Sequence, residues 1–273
     1  MNLFDETIRQ STSDGVPFVE YLSAKGVVPG IKVDIGLKEM EGHVGEQITK
    51  WDDALDSRLK EYYQMGARFA KWRAVITIGE NIPSDECILE NCKNLTEYAR
   101  LCQSNNIVPI VEPEVLMDGA HTIERCEEVT HKTLSVLFAE LKKANIDLSG
   151  LILKPNMVIS GLDGEKVSSD VIAQKTVQCF KETVPAEVAG IVFLSGGQSE
   201  AESCENLSAI SKLAKEQNAP WKLTFSYGRA LQNSAIKNWL GKDENKTKSQ
   251  EIFAHRAKLA SAASKGEYSA DME

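Results

Sequence analysis

The sequence predicts an α/β fold of the (β/α)8 TIM-barrel class, and three of its features lead to that prediction. Short apolar segments end near residues 34, 74, 112, 154, 195 and 227, about forty residues apart, with a helical pattern in each interval. Repeated βα units build a parallel sheet, and near-continuous apolar strands are typical of a sheet buried on both faces. Ionisable residues also lie at the carboxyl ends of successive predicted strands, and in a barrel those ends form the active face. An open doubly wound sheet would show the same alternation, but the charged strand ends favour the barrel.

The first half of the chain supplies four of the strands. Strands are predicted at Met1–Phe4, Val27–Asp34, Arg68–Val75 and Ile107–Glu114, and helices at Phe18–Leu22, between Lys50 and Gly66, and within Pro83–Asn105. The second helix places Leu55 and Leu59 on one side and is ended by Gly66. The third strand alternates, so Lys71 and Arg73 share a face. A polar loop is expected from residue 35 to about residue 50.

The second half continues the alternation. Strands are predicted at Leu151–Lys154, Gly190–Gly197 and Trp221–Arg229, and helices at 122–144, 168–183, 199–216, 229–240 and 247–265. Pro155 ends the first of these strands, and a glycine pair ends the second. We therefore expect a single barrel domain over residues 1–265, followed by a flexible polar tail over residues 266–273.

Composition limits the classes of function. The 273-residue chain is 42% hydrophobic and 26% charged, which is ordinary for a globular protein with a full core. Its net charge of -9 argues against nonspecific nucleic-acid binding but permits a local basic pocket for an anionic metabolite. No apolar run is long enough to span a membrane. The six cysteines show no CxxC pairing and the four histidines form no zinc pattern, so we expect a cytoplasmic protein without a metal or other cofactor.

Lys154 ends an apolar strand immediately before a proline. Burying an ammonium ion is costly, and losing the proton avoids that cost. The neutral amine that results is a nucleophile toward carbonyl groups. On this stretch alone the alternative remains open that the stem of Lys154 is buried while its ammonium group reaches water.

Charged and polar residues at the strand ends form one predicted constellation. Its members are Lys32, Asp34, Lys71, Arg73, Glu112, Glu114, Lys154, Ser195 and Arg229. The cations suit a phosphorylated substrate, although surface salt bridges would also account for Lys71 and Arg73. Ser195-Gly196-Gly197 and Gly228-Arg229 each precede a helix, where backbone N–H groups can bind phosphate. The chemistry that fits is imine formation between Lys154 and a phosphorylated ketone, which permits reversible carbon–carbon cleavage without a metal.

Five segments of the chain closely resemble class I fructose-bisphosphate aldolase. They are Phe69–Arg73, Val111–Glu114, Leu153–Met157, Phe193–Ser199 and Thr224–Gln232. Their order and spacing match the family over nearly the whole chain. The resemblance implies a (β/α)8 barrel, usually a homotetramer, that acts in glycolysis. It implies reversible cleavage of fructose 1,6-bisphosphate to dihydroxyacetone phosphate and glyceraldehyde 3-phosphate.

The resemblance also assigns roles to the strand-end residues. Lys154 resembles the Schiff-base lysine, and Glu112 the acid/base that serves imine formation. Lys71 and Glu114 resemble the charged partners of Glu112 in the site. From the strand positions we also expect Glu112 and Glu114 together to hold Lys71 charged. The residues that match the family's contacts to one phosphate are Ser195, Gly196, Gly228 and Arg229. Those that match its contacts to the other phosphate are Lys32 and Arg73.

The sequence departs from the family at its start. The region that carries the first barrel strand, with an aspartate that serves carbon–carbon cleavage, has no counterpart here, and the second strand corresponds only to Met1–Phe4. Because open sheet edges are unpaired, we expect lower stability than in a complete member of the family. Because the cleavage aspartate has no counterpart, we also expect weak or absent turnover. Two alternatives stay open: a non-catalytic sugar-phosphate-binding protein, and another Schiff-base lyase of the transaldolase or deoxyribose-phosphate aldolase type. The paired phosphate sites favour a bisphosphate substrate over the second alternative.

Overall fold

The computed structural model describes residues 1–273, and strands alternate with helices along the chain as predicted. The strands are β1 (Asn2–Leu3), β2 (Gly30–Lys32), β3 (Leu37–Glu39), β4 (Gln47–Thr49), β5 (Phe69–Ile76), β6 (Val108–Val115), β7 (Ile152–Leu153), β8 (Gly190–Phe193) and β9 (Leu223–Phe225). The helices are α1 (Asp5–Ile8), α2 (Phe18–Ala24), α3 (Leu55–Gln64), α4 (Asp85–Ser104), α5 (Ile123–Lys143), α6 (Ser169–Thr183), α7 (Glu200–Glu216), α8 (Arg229–Trp239) and α9 (Lys246–Ala263). Each predicted strand and helix is present, within a few residues of its expected bounds.

The chain forms two compact units. The first comprises Met1–Glu114, Thr133–Leu153 and Glu187–Ala189, and the second comprises Val115–Lys132, Lys154–Ala186 and Gly190–Glu273. The single barrel domain over residues 1–265 stays a prediction. So does the flexible tail over residues 266–273, where the structure shows the hydroxyl of Tyr268 donating to Glu273 at 2.7 Å.

The first unit contains parallel strands in chain order, namely β1, β2, β5, β6 and β7. The register between β2 and β5 pairs Gly30 with Phe69 and Lys32 with Lys71. A Cβ atom at Gly30 would lie 2.2 Å from the ring of Phe69, so a larger residue would displace that ring. The glycine lets β2 approach β5 closely, and the register then brings the last residue of β2, Lys32, level with Lys71 of β5.

The second unit contains β8 and β9, which also pair in parallel. Helix α6 packs on α7, and α8 packs on α9. The start of α7 is fixed by a capping box, in which the side chain of Ser199 accepts from the N–H of Glu202 and the Glu202 side chain accepts from the N–H of Ser199. The glycine turn after β8 therefore leads into an ordered helix start.

The segment predicted as a polar loop between residues 35 and 50 contains an antiparallel hairpin. Strand β3 pairs with β4, with Leu37 opposite Thr49 and Lys38 opposite Ile48. The prediction of a loop without strands was wrong because the strands are only three residues long, too short to show a clear apolar alternation. The four-residue helix α1 escaped prediction for the same reason.

Trp72 provides a test of the core of the first unit. Its side chain is fully buried, and its ring centroid lies 5.5 Å from that of Trp51 and 5.6 Å from that of Tyr98. Its indole N–H is buried without a hydrogen-bond partner. Replacing Trp72 with alanine is therefore expected to lower the free energy of unfolding by about 3–5 kcal/mol, mainly through the cavity left behind. Phenylalanine should cost clearly less, because it fills most of that cavity and, like alanine, loses no hydrogen bond. Urea denaturation of the two variants measures both values, and equal losses would contradict this account.

The six cysteines are all buried and reduced. Burial raises the pKa of Cys87 and of Cys179 to about 12, so both thiols remain protonated. None of the helices has the length and apolar character needed to cross a lipid bilayer.

Candidate active site

Four side chains meet in the first unit, two at the carboxyl end of β2 and one each within β5 and β6. The ammonium group of Lys71 on β5 lies 2.9 Å from the Glu112 carboxylate on β6 and 3.2 Å from the Asp34 carboxylate that follows β2. Lys32 lies 2.7 Å from the other oxygen of Asp34. The side chains of Lys71, Asp34 and Glu112 are all buried, and the two lysines of the cluster balance the two carboxylates. The arrangement holds a cation and a carboxylate in fixed positions beside the end of β2.

Asp34 is held as a carboxylate. Burial alone would raise its pKa, but the charge of Lys71 and the hydrogen bond and charge of Lys32 outweigh it, so its pKa lies below the usual value. The ammonium group of Lys32 also donates to the backbone carbonyl of Asp34 at 2.7 Å. Sequence reasoning placed Asp34 at this strand end but gave it no role. The structure shows that it bridges the two lysines.

Arg73 and Glu114 form a second pair, one level further along β5 and β6. Burial would lower the pKa of Arg73, but the charge and hydrogen bond of Glu114 outweigh it and raise that pKa. The sequence led us to expect both glutamates at Lys71. They lie two residues apart on one face of β6, so each meets the β5 cation at its own level. The hydroxyl of Thr49 donates to the Arg73 carbonyl at 2.7 Å, which ties the β3–β4 hairpin to this strand.

Lys154 is half-buried in the second unit, immediately after β7. The chain that follows it is fixed by backbone and side-chain hydrogen bonds. The carbonyl of Pro155 accepts from the N–H of Leu194 at 3.2 Å. The buried side chain of Asn156 accepts from the N–H of Val115 at 3.1 Å and donates to the hydroxyl of Thr130 at 3.0 Å. Asn156 therefore positions the backbone next to Lys154, a role that the sequence signalled only through its place in the Leu153–Met157 segment.

Ser195 and Gly196 follow β8 in the second unit. Ser195 is buried, and its carbonyl accepts from the backbone N–H of Gln198 at 3.0 Å. Gly196 and Gly197 have φ angles of 59° and 102°, in the region that favours glycine. This turn leads into α7, whose N-terminus gives the segment a partial positive charge suited to an anion.

Gly228 and Arg229 occupy the corresponding position after β9. Gly228 is the N-terminal capping residue of α8, with φ of -101° and ψ of -87°, and Arg229 is the first residue of that helix. A Cβ atom at Gly228 would have nothing within 4 Å, and Arg229 is exposed. The start of α8 is therefore open to a ligand, with a guanidinium group beside it.

The ion pairs of Asp34 with Lys32 and Lys71 should make the free energy of unfolding depend on pH in a specific way. Replacing Asp34 with asparagine is expected to lower the free energy of unfolding at pH 7 by about 1–3 kcal/mol, because Lys32 and Lys71 lose a charged partner. Since the folded-state pKa is depressed, this stabilisation is present above the unfolded pKa of about 3.9 and is lost as the pH falls through the folded value. Urea titrations of both proteins between pH 7 and pH 3 should show the difference narrowing below about pH 4. A difference independent of pH would contradict this assignment.

The chain matches a known protein family over its whole length. The family model described as "Fructose-bisphosphate aldolase class-I" matches residues 1–273. A protein named "Fructose-bisphosphate aldolase 6, cytosolic" from Arabidopsis thaliana is 51% identical over 269 residues, which cover 98% of this chain and 75% of the relative. A "Probable fructose-bisphosphate aldolase class 1" from Xanthomonas axonopodis is 53% identical over 269 residues, covering 97% of this chain and 79% of the relative.

The fold has a solved counterpart. The fructose-bisphosphate aldolase from Plasmodium falciparum, crystallised in complex with TRAP and a small-molecule inhibitor, matches with a TM-score of 0.95 and 46% sequence identity. The match covers 98% of this chain and 77% of that one. The predicted α/β fold of the TIM-barrel class is thereby confirmed.

Proposed function

Because the chain belongs to the class I fructose-bisphosphate aldolase family, we propose that it cleaves fructose 1,6-bisphosphate reversibly through an imine on Lys154. The products are dihydroxyacetone phosphate and glyceraldehyde 3-phosphate. The observation that carries the proposal is the buried ammonium group of Lys71 between the carboxylates of Glu112 and Asp34. A fixed cation beside a buried carboxylate supplies the charge and proton-transfer groups that imine chemistry needs.

The proposed reaction begins with attack of the Lys154 amine on C2 of the open-chain sugar. The carbinolamine loses its C2 oxygen as water after a proton arrives from Glu112, and a protonated imine remains. Breaking the C3–C4 bond sends its electron pair into the imine, which becomes an enamine, while the C4 hydroxyl gives its proton to the Glu112 carboxylate and C4 leaves as the aldehyde. Glu112 then protonates the enamine at C3, and hydrolysis of the imine releases dihydroxyacetone phosphate, restores the amine and returns a proton to Glu112.

The two phosphates are proposed to bind at different elements. Ser195 and Gly196 after β8, with Gly228 and Arg229 at the start of α8, take one phosphate. Lys32 and Arg73 are proposed to take the other. In the structure each of these two cations already contacts a carboxylate, Lys32 that of Asp34 and Arg73 that of Glu114. We expect them to exchange or share those partners when the phosphate arrives.

The cellular setting is proposed from the relatives. Several relatives carry cytosolic or cytoplasmic in their names, which supports a cytoplasmic enzyme. The matching family model is described as glycolytic, which supports a role in glycolysis. The homotetramer implied by the family resemblance belongs to the same proposal, and sedimentation velocity of the purified chain tests it.

Imine trapping tests the central step. The chain is incubated with dihydroxyacetone phosphate and sodium borohydride, and its intact mass and peptide map are then measured. We expect one reduced adduct on Lys154 and none when borohydride is omitted. Substrate cleavage without an adduct would refute the imine. An adduct without cleavage would favour the non-catalytic sugar-phosphate-binding alternative.

Chelation gives an independent prediction. The protonated imine accepts the electron pair of the breaking bond, so the proposed reaction requires no metal ion. Cleavage of fructose 1,6-bisphosphate should therefore proceed at the same rate with and without an excess of EDTA. A strong loss of activity that added zinc restores would overturn the imine assignment.

A further inference from the structure

A second basic pocket lies within the second unit, away from the phosphate residues proposed above. It has a volume of about 280 Å³, at the small end of ligand pockets. The end of α7, the segment leading into β9 and the end of α9 contribute its walls. We call it the basal pocket and define it by Ser211, Lys215, Trp221, Lys222 and Lys265.

The charge of the basal pocket is entirely positive. Its ten lining residues include three lysines and no aspartate or glutamate, although the whole chain carries a net charge of -9. The ammonium group of Lys215 donates to the backbone carbonyl of Lys265 at 2.5 Å, which fixes one of the cations at the rim. The floor is apolar, because Trp221 is buried and its indole N–H donates to the carbonyl of Pro185 at 2.8 Å. Cations above an apolar floor suit a small organic anion.

Ser211 supplies the observation that points to a ligand. The residue is only 3% exposed, and its hydroxyl is buried without a hydrogen-bond partner. An unsatisfied buried hydroxyl is costly in a folded protein unless a water or a ligand completes it. Ser211 lines the basal pocket, so a ligand oxygen bound among the lysines is placed to meet that hydroxyl.

The basal pocket and the proposed phosphate site lie at opposite ends of β9. Lys222 immediately precedes the strand, whereas Gly228 and Arg229 follow it. In barrels the amino ends of the strands serve stability and the carboxyl ends serve catalysis. A ligand in the basal pocket would therefore not contact the reacting atoms.

We propose that the basal pocket binds a compact anion that carries a phosphate or carboxylate group, separately from the substrate. Lys215, Lys222 and Lys265 neutralise its charge, and the hydroxyl of Ser211 donates a hydrogen bond to one of its oxygens. The ligand remains intact, and no covalent step is involved.

Hydrogen–deuterium exchange with mass spectrometry tests the proposal at the level of peptides. The purified chain is titrated in parallel with inorganic pyrophosphate and with citrate, which separate phosphate from carboxylate chemistry. We expect saturable protection by at least one of the two anions in peptides covering residues 211–223 and 261–267. Protection at 193–199 and 226–231 reports the proposed substrate site independently, so the two proposals can fail separately.

Three variants make the test specific. The double substitution Lys222→Glu with Lys265→Glu should weaken protection of the basal pocket about tenfold or more. Lys258→Glu, an exposed change of the same kind on α9 outside the pocket, should leave it unchanged. Ser211→Ala should lower the affinity about threefold to tenfold without loss of folding, because the hydroxyl has no protein partner to lose.

Cleavage kinetics of the variants complete the test. All three proteins should cleave fructose 1,6-bisphosphate at the rate of the unaltered chain. The proposal is overturned if neither anion protects the pocket peptides, or if the charge-reversed and alanine variants retain the original affinity.

Discussion

Replacing Lys154 with arginine is expected to reduce fructose 1,6-bisphosphate cleavage by about 10⁴-fold or more. Arginine preserves the positive charge and most of the reach of the side chain. Its guanidinium group stays protonated at all working pH values, however, and offers no lone pair for attack on the C2 carbonyl. A coupled assay of triose phosphate release measures the loss, and borohydride trapping should give no adduct on the variant.

Lys166 provides the matched control for this substitution. It is an exposed lysine in the same unit, and its ammonium group lies 2.8 Å from Glu202. Arginine at position 166 can keep that ion pair, so Lys166→Arg should retain full cleavage and full trapping. Turnover by Lys154→Arg within tenfold of the unaltered chain would show that another amine, or no amine, carries the reaction.

Replacing Lys71 with methionine is expected to lower the free energy of unfolding by about 3–5 kcal/mol at pH 7. The substitution preserves side-chain length but leaves the carboxylates of Asp34 and Glu112 buried without the cation between them. Removing one partner of a buried ion pair lowers the free energy of unfolding by more than the intact pair contributes, because the remaining charge stays buried without compensation. Cleavage should fall as well, since the proposed proton-transfer group Glu112 loses its partner.

The direction of the pH dependence distinguishes this explanation from a packing defect. With Lys71 absent, only Lys32 opposes the effect of burial on Asp34, so the folded-state pKa of Asp34 is higher than in the unaltered chain. Raising the folded-state pKa of a carboxyl costs stability at neutral pH, and this cost disappears as the pH falls through the raised value and the carboxyl becomes protonated. The deficit of Lys71→Met relative to the unaltered chain should therefore shrink as the pH falls from 7 to the unfolded value of about 4 and below.

Lys38 offers a control in the same unit. It is exposed on the β3–β4 hairpin, and Lys38→Met should change the free energy of unfolding by no more than about 0.5 kcal/mol. Urea midpoints measured at several pH values compare the three proteins. A deficit of Lys71→Met that stays constant with pH would indicate lost packing and not an unpaired charge.

Long-period features of the fold were predictable from sequence because they depend on pattern alone. The recurrence of apolar strands near residues 34, 74 and 112 predicted β2, β5 and β6 and placed their charged ends together. Lys71 and Arg73 lie on β5 as the alternation indicated. The five family-like segments, which together are more specific than any single motif, predicted the class of fold that the solved counterpart confirms.

Side-chain partners were less predictable, because they depend on register and rotamer. Nothing in the sequence indicates that Asp34 contacts both lysines, since that arrangement requires Lys32 of β2 to pair with Lys71 of β5. The pairing of Glu114 with Arg73 likewise follows from the relative levels of two strands. The basal pocket was missed for a related reason, because its lysines come from α7, the approach to β9 and the end of α9, far apart in the chain.

The burial of all six cysteines has a practical consequence for following the protein in solution. A thiol reagent can reach these sulfur atoms only when the surrounding structure opens, so the labelling rate reports how often each region opens. Cys87 and Cys102 on α4 sample the first unit, and Cys179 on α6 and Cys204 on α7 sample the second. Locating each label by mass spectrometry would thus turn the natural thiols into a map of local opening free energies, with no added probe and no substitution.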